Sequence, residues 1–484
     1  METQGEQSHN GRSRALVAGV LVLATAVVGT VARGKGNGGQ SAPIRPSTMY
    51  FTAPARGPVT FSGTLDRTAV LRGQDGLVRM ELVVGAKEPK SERPARVPTD
   101  LLVILDRSGS MAGAKLEQAR AAVRELVTQL GREDRFGLVT YSNEATLVIP
   151  LAAADAEART RWFTTLAGIT ADGGTNMSSG LDLGLDTIEQ ARSTGHVPRA
   201  ILLSDGLANQ GDASHDGLLR RATRAARSEY MLTTVGIGAD FNEYLMTALA
   251  DAGTGNYYYL KAGDDLASVF AREFDGARTT VASGLAVQIE PADGVRVVDA
   301  AGYPLEQAPH AVSFRPGALF AGQERRIWVT LAVPSTVVGD VALGRFALSY
   351  ADGPERATLA FADVPHVACV QSEDDFFAAV DVPSWTRSVI VDGYNQMQQK
   401  VAQEVKAGRR DAALKVIEDF RSTTQTMNTR LQSAPVVQQL RSVDKLEGDV
   451  AAAFAGPNQP ARQNELSKAR SAAALDERRA GSKR

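Results

Sequence analysis

A single cysteine, Cys369, among 484 residues excludes an internal disulfide framework and a cysteine-built zinc cluster. It reads as a small buried apolar residue. The five histidines, His9, His196, His215, His310 and His366, are scattered without HExxH spacing, and no GxxxxGK[ST] phosphate loop occurs. Neither a zinc protease nor a nucleotide hydrolase is therefore supported. Gly236 and Gly238 lack the rest of a dinucleotide fingerprint and read as a strand exit. Charge of one sign is missing too: 53 Lys and Arg face 55 Asp and Glu, a net charge of −2, so no field steers the chain towards nucleic acid or an acidic membrane. No nucleic-acid partner is expected.

What is present is ordinary globular material, with 43% hydrophobic and 22% charged residues. The length suits two to four domains at roughly 100 to 200 residues each. Residues 1–33 read as an export signal or an N-terminal membrane anchor. Arg12 and Arg14 lead into an uncharged run from Ala15 to Ala32, and Thr30-Val31-Ala32 has the small-residue spacing of a signal peptidase site. As a helix the run would span about 27 Å at roughly 1.5 Å per residue, just short of a hydrocarbon layer of about 30 Å, so both fates remain open. The Gly- and Lys-containing stretch Gly34 to Gln40 argues against a buried helix of the folded body.

Residues 34–57 read as a linker, and 58–98 as strands that end in the charged, proline-punctuated stretch Lys87 to Pro98. Val78, Met80, Leu82 and Val84 alternate with Arg79, Glu81 and Val83, the period of a half-buried strand. Over 99–276 the pattern changes. Apolar runs at Leu101 to Leu105, Phe136 to Tyr141, Ala200 to Ser204, Met231 to Ile237 and Asn256 to Leu260 are separated by helical stretches at Ala114 to Leu130, Met177 to Ala191, Asp216 to Arg227 and Phe241 to Ala250. This alternation predicts an α/β domain with a mostly parallel sheet covered on both faces. Thr146 to Pro150 follows a strand so closely that it should return as an antiparallel edge hairpin.

From 280 to 365 the period of two returns at Leu285, Val287 and Ile289, at Ile327, Val329, Leu331 and Val333, and in the runs Phe346 to Tyr350 and Thr358 to Phe361. These read as an antiparallel β-sandwich that the α/β domain interrupts. Residues 372–455 form a helical region, and 456–484 lack a hydrophobic period and read as a disordered tail.

The run Leu101 to Ser110 ends a buried strand with a carboxylate and two hydroxyls at alternate positions, Asp106, Ser108 and Ser110. In an open α/β sheet, ligands bind beyond the carboxyl ends of strands where the strand order reverses, and this turn falls there if the strand is central. Two further segments can reach the same crevice. Asp172-Gly173-Gly174-Thr175-Asn176 turns sharply on its glycines and offers Thr175, and the run Ala200 to Ser204 delivers Asp205. Asp106, Ser108, Ser110, Thr175 and Asp205 are all hard oxygen donors, the set that suits Mg²⁺, with Mn²⁺ or Ca²⁺ as alternatives. With only two carboxylates around it, such an ion keeps electrophilic character and can accept a carboxylate from a protein ligand. Asn143 reads as a turn asparagine or a residue of the site rim, and Asp172 as a turn residue or a support behind the ligands.

The segments DRSGSM, GGTNMSSGL and LLSDG resemble the three parts of the metal-ion-dependent adhesion site of von Willebrand factor A domains, over residues 99 to 276. The resemblance assigns the family pattern DxSxS to Asp106, Ser108 and Ser110, its threonine to Thr175 and its later aspartate to Asp205. It implies a Rossmann-like fold and a partner whose acidic side chain completes the coordination of the metal. The layout of sandwich, A domain and helices is similar to secreted or membrane-attached bacterial relatives of inter-alpha-trypsin inhibitor heavy chains. A capping role for any one segment, a purely stabilising metal in a cell-surface scaffold, and a phosphatase using Asp106 as nucleophile are the competing readings. Against the last, Ser108 stands where such phosphatases carry a second aspartate. The sequence thus points to an extracytoplasmic, non-enzymatic protein-binding module.

Overall fold

The computed structural model describes residues 49–480 except 55–56, 88–97, 192, 194, 206–207, 238–242, 261–279 and 353–354. The expected export segment and the first part of the linker after it lie outside the described residues. Four strands precede the α/β region: β1 Tyr50–Thr52, β2 Val59–Leu65, β3 Ala69–Leu71 and β4 Leu77–Ala86. The α/β region runs β5 Thr99–Asp106, α1 Ala114–Gln129, β6 Arg135–Tyr141, β7 Ala145–Ala153, α2 Ala156–Ala167, α3 Met177–Gln190, β8 Val197–Ser204, α4 His215–Arg227, β9 Met231–Ile237, α5 Glu243–Ala252 and β10 Thr254–Leu260. Nine strands follow: β11 Thr280–Pro291, β12 Arg296–Ala300, β13 Glu306–Ala308, β14 Ala311–Phe320, β15 Glu324–Ala332, β16 Gly339–Ala342, β17 Gly344–Asp352, β18 Glu355–Ala360 and β19 His366–Val370.

The α/β sheet has the order β10-β9-β8-β5-β6-β7, parallel throughout except for β7, which pairs antiparallel with β6. The short return expected around Thr146 is this edge strand. Every residue of β5 is buried, because the strand serves two cores at once. Leu101, Val103 and Leu105 point to one face and pack with Leu116, Val123, Leu126 and Trp162 of α1 and α2. Leu102 and Ile104 point to the other and pack with Leu181, Leu185, Leu218 and Ala222 of α3 and α4. A strand apolar at every position is stable only between two helical layers, and each such side chain contributes about 1.5–3 kcal/mol on burial. The helix α2 was not foreseen. Its Arg- and Thr-rich run (156–167) hides an apolar side made of Ala158, Trp162 and Leu166, with Trp162 set against Phe136 at 5.2 Å.

One antiparallel sheet has the order β1-β2-β4-β15-β12, and a second the order β13-β14-β11-β17-β18. Their facing sides share one core in which Val78, Met80, Leu82 and Val84 meet Val287, Ile289, Phe314, Phe346 and Leu348. In the first sheet, β4 from before the α/β region pairs with β15 from after it, with Leu82 opposite Ile327 and Met80 opposite Val329. The linker expected up to residue 57 needs correction: β1 lies within it, paired to β2 and held by the buried Phe51, whose ring stacks on Phe361. A small third sheet, β16-β19-β3, carries the buried Cys369.

The alternate face of β4 is not open to water. Glu81 is buried there and bound by Arg326 at 3.2 Å and Arg387 at 3.1 Å, and Arg79 lies 3.6 Å from Asp392. Arg387 and Asp392 belong to the helical region, which begins with Glu373–Ala378, Val382–Arg387 and a π-helical turn Ser388–Gly393. The side chains of Ser372 and Asp381 cap its first two helices. Longer helices Tyr394–Lys406, Arg410–Leu431 and Ala434–Ala453 close around Val401, Val405, Ile417, Val443, Leu446 and Val450. The expected disordered tail also needs correction, since Gln459–Ala480 is a helix. It packs along Tyr394–Lys406, with Leu466 against the helical core, Ser467 buried, and Arg470 paired with Asp449 at 2.6 Å, a docking side of mixed rather than apolar residues.

Candidate metal centre

Strand β5 lies between β6 and β8, and the chain leaves it first towards β6 and β7 and only later returns on its other side as β8. The order therefore reverses between β5 and β8, and the carboxyl ends of those two strands carry Asp106 and Ser204-Asp205. Register sets Leu105 opposite Leu203 and Asp106 opposite Tyr141. The Ser204 hydroxyl consequently donates to Asp106 Oδ2 at 2.8 Å.

Beyond Asp106 the backbone folds into a single 3-10 turn, Gly109–Met111, with the fully buried Met111 as its apolar anchor. The amide of Ser108 donates to Asp106 Oδ1 at 2.8 Å. The hydroxyls of Ser108 and Ser110 lie 3.1 Å apart, and Ser110 Oγ donates to Asp205 Oδ1 at 2.8 Å. Asp106, Ser108, Ser110 and Asp205 thus form one continuous hydrogen-bonded chain, although Asp205 is 95 positions away from Ser110. Asp106, Ser108 and Asp205 are all essentially buried.

Thr175, also buried, joins through the backbone of its loop. Gly109 N–H donates to the Gly173 carbonyl at 3.0 Å and Asp172 N–H to the Arg107 carbonyl at 2.8 Å, which locks the loop against the turn after β5. Gly173 has φ +78°, and a Cβ there would meet the Asn143 amide at 2.9 Å, so two constraints favour glycine at this position. Asn143 is more than a turn residue, since its Oδ1 accepts from Gly174 N–H at 2.7 Å. Asn209 Oδ1 accepts from the Thr175 amide at 2.9 Å. Asp172, left open between turn and support, contributes its backbone amide.

Burial pushes the Asp106 carboxyl above the usual carboxylate range, outweighing the hydrogen bonds from Ser108 and Ser204, and the charge of Asp205 adds to the rise. Burial likewise pushes the Tyr141 phenol well up, reinforced by Asp106. Two adjacent buried carboxylates are costly without positive charge, and the Lys115 ammonium at Asp205 Oδ2 offsets part of that cost. The donor set therefore fits a hard divalent cation: oxygens only, two of them carboxylates, with neutral hydroxyls between.

Sequence reasoning missed Ser204, Asn209 and Lys115, whose ammonium pairs with Asp205 Oδ2. Ser204 could have been found from the register of β5 and β8. Nothing in the linear pattern singles out Lys115 or Asn209.

The family model for the von Willebrand factor type A domain matches residues 100–272. Protein sll0103 of Synechocystis is 26% identical over 389 residues, which cover 73% of this chain and 88% of that one. Human inter-alpha-trypsin inhibitor heavy chain H4 is 29% identical over 160 residues, 32% of this chain and 17% of its own length. Among solved structures, a von Willebrand factor type A protein from Catenulispora acidiphila superposes with a TM-score of 0.62 over 87% of this chain and 98% of that one, at 16% identity, a likeness of fold. With a central β5 flanked on both sides by parallel strands, an antiparallel edge, and helices on both faces, residues 100–272 form a domain of the von Willebrand factor A type.

Proposed function

We propose that the chain is an extracytoplasmic, non-enzymatic recognition protein whose A domain holds one divalent ion, Mg²⁺ by donor chemistry, and uses it to engage an acidic side chain of a protein partner. The observation that carries this is the hydrogen-bonded chain of Asp106, Ser108, Ser110 and Asp205 at the reversal point of the sheet. Asp106, Ser108, Ser110, Thr175 and Asp205 would hold the ion. Bound there, it would supply a Lewis-acidic centre held by only two carboxylates and otherwise neutral hydroxyls, able to accept a carboxylate from outside. The residues of the chain do the rest. Ser204 and the Ser108 amide orient both oxygens of Asp106, Asn143 and Asn209 fix the loop that presents Thr175, and Met111 anchors the turn that aims the two serines.

Export follows from the reading of residues 1–33 and agrees with the likeness to an inter-alpha-trypsin inhibitor heavy chain. Among the described residues no helix is long and apolar enough to cross a membrane.

Asp106→Ala should abolish Mg²⁺ binding in calorimetry and leave the circular dichroism spectrum unchanged. Retained affinity would refute the assignment. Capture of a partner in Mg²⁺ and its loss in chelator supports recognition, whereas chelation that only lowers the melting temperature makes the ion a scaffold element. Turnover of a small phosphate ester by the wild type but not by Asp106→Ala would place the chain among phosphatases instead.

A further inference from the structure

Lys115 stands in the first turn of α1, two residues after Gly113, and its ammonium reaches back over the turn that carries Ser110. It donates to Asp205 Oδ2 and, at 3.3 Å, to the Ser110 carbonyl. The other oxygen of Asp205 takes the Ser110 hydroxyl at 2.8 Å. The Asp205 side chain is fully buried while that of Lys115 is 29% exposed, so the carboxylate is fixed and the cation is the partner free to swing out.

Resting on the metal reading of the same site, we propose that Lys115 is a tethered cation that competes with the divalent ion for Asp205 and so sets how tightly the ion binds. A buried carboxylate beside a second one requires a positive charge within reach. Either cation meets that need. Both together at one carboxylate repel each other, so the ion and the ammonium would compete for Asp205, and the more exposed Lys115 would give way. The ammonium is part of the chain and is present at a constant effective concentration. The site therefore fills only where the divalent ion is abundant enough to displace it.

The test is Mg²⁺ calorimetry on the full chain, with thermal melting in Mg²⁺ and in chelator, for the wild type, Lys115→Met and Lys115→Arg. Lys115→Met should bind Mg²⁺ at least tenfold tighter, melt lower than the wild type in chelator, and recover in Mg²⁺. Lys115→Arg, which keeps the charge, should stay near wild-type affinity. If the wild type binds Mg²⁺ and Lys115→Met binds no tighter, the competition is refuted and the metal site stands. Binding by Lys115→Met alone would support the competition in its strongest form, with the wild-type ammonium filling the cation position outright. If no variant binds, both the metal reading and the competition fall.

Discussion

Asp106 illustrates how one side chain acquires a role from its neighbours. Its burial raises the energetic cost of the charge, and hydrogen bonds from the Ser108 amide and the Ser204 hydroxyl return only part of it. A cation is the natural complement. Residues that touch none of the donors matter at the same scale, because Asn143 holds the Gly174 amide and thereby the carbonyl-rich loop that sets Thr175. Asn143→Ala removes that acceptor, a loss of about 1 kcal/mol in hydrogen bonding. It should weaken Mg²⁺ binding by about tenfold, as loss of an outer support to a metal ligand commonly does. Unchanged affinity in calorimetry would mean that Asn209 and the backbone bonds of Gly109 and Asp172 hold the loop without Asn143.

At the scale of elements, the site is the meeting of strand ends and helix starts, and the start of α4 is held by charge. Asp212 accepts from the Ser214 hydroxyl, binds Arg221 at 3.0 Å, and sits beside Gly217, where a Cβ would meet its carboxylate. Its hydrogen bonds from Ser214 and Arg221 lower its pKa from 3.8 to about 2. A carboxylate depressed in the folded state contributes stability that is fully present above the unfolded value and is lost as pH falls from about 4 towards 2. In Asp212→Asn the acid limb of the stability curve should therefore be shallower across that window. Urea midpoints measured at pH 5 and pH 2.5 check this, and an equal drop in both proteins would deny Asp212 the role.

For the whole molecule, the decisive feature is that β4 and β15 come from opposite sides of the A domain and pair residue for residue. The first sheet cannot be completed by β15 and β12 until the chain has passed through the entire α/β region, so the sandwich and the insertion are tied by topology. Ion pairs reinforce the contact, with Arg227 bound to Glu306 at 3.0 Å and Arg356 bound to Glu229, but exposed pairs of this kind contribute at most about 1 kcal/mol. The apolar core dominates. Leu82→Ala, at a fully buried position opposite Ile327, should cost about 2–5 kcal/mol and lower the thermal midpoint of strands on both sides of the insertion together. A calorimetric trace in which only an N-terminal fragment shifts would contradict the shared core.

By itself the sequence determined the elements whose partners are implied by local period: β5 apolar on both faces, β4 alternating, α1 and α3 between strands. It also offered Asp106, Ser108 and Ser110 as candidate oxygen donors, because their spacing in DRSGSM depends on a turn of three or four residues. The tertiary structure decided whatever depends on residues distant along the chain. It set Ser204 beside Asp106 through the register of β5 and β8, and brought Lys115 onto Asp205. It also buried Glu81 under Arg387 and packed the apolar-poor helix Gln459–Ala480 along Tyr394–Lys406. The division has a physical origin. Backbone geometry repeats every two or 3.6 residues and leaves its period in the sequence, whereas a contact between residues ninety apart leaves no mark on the residues between them.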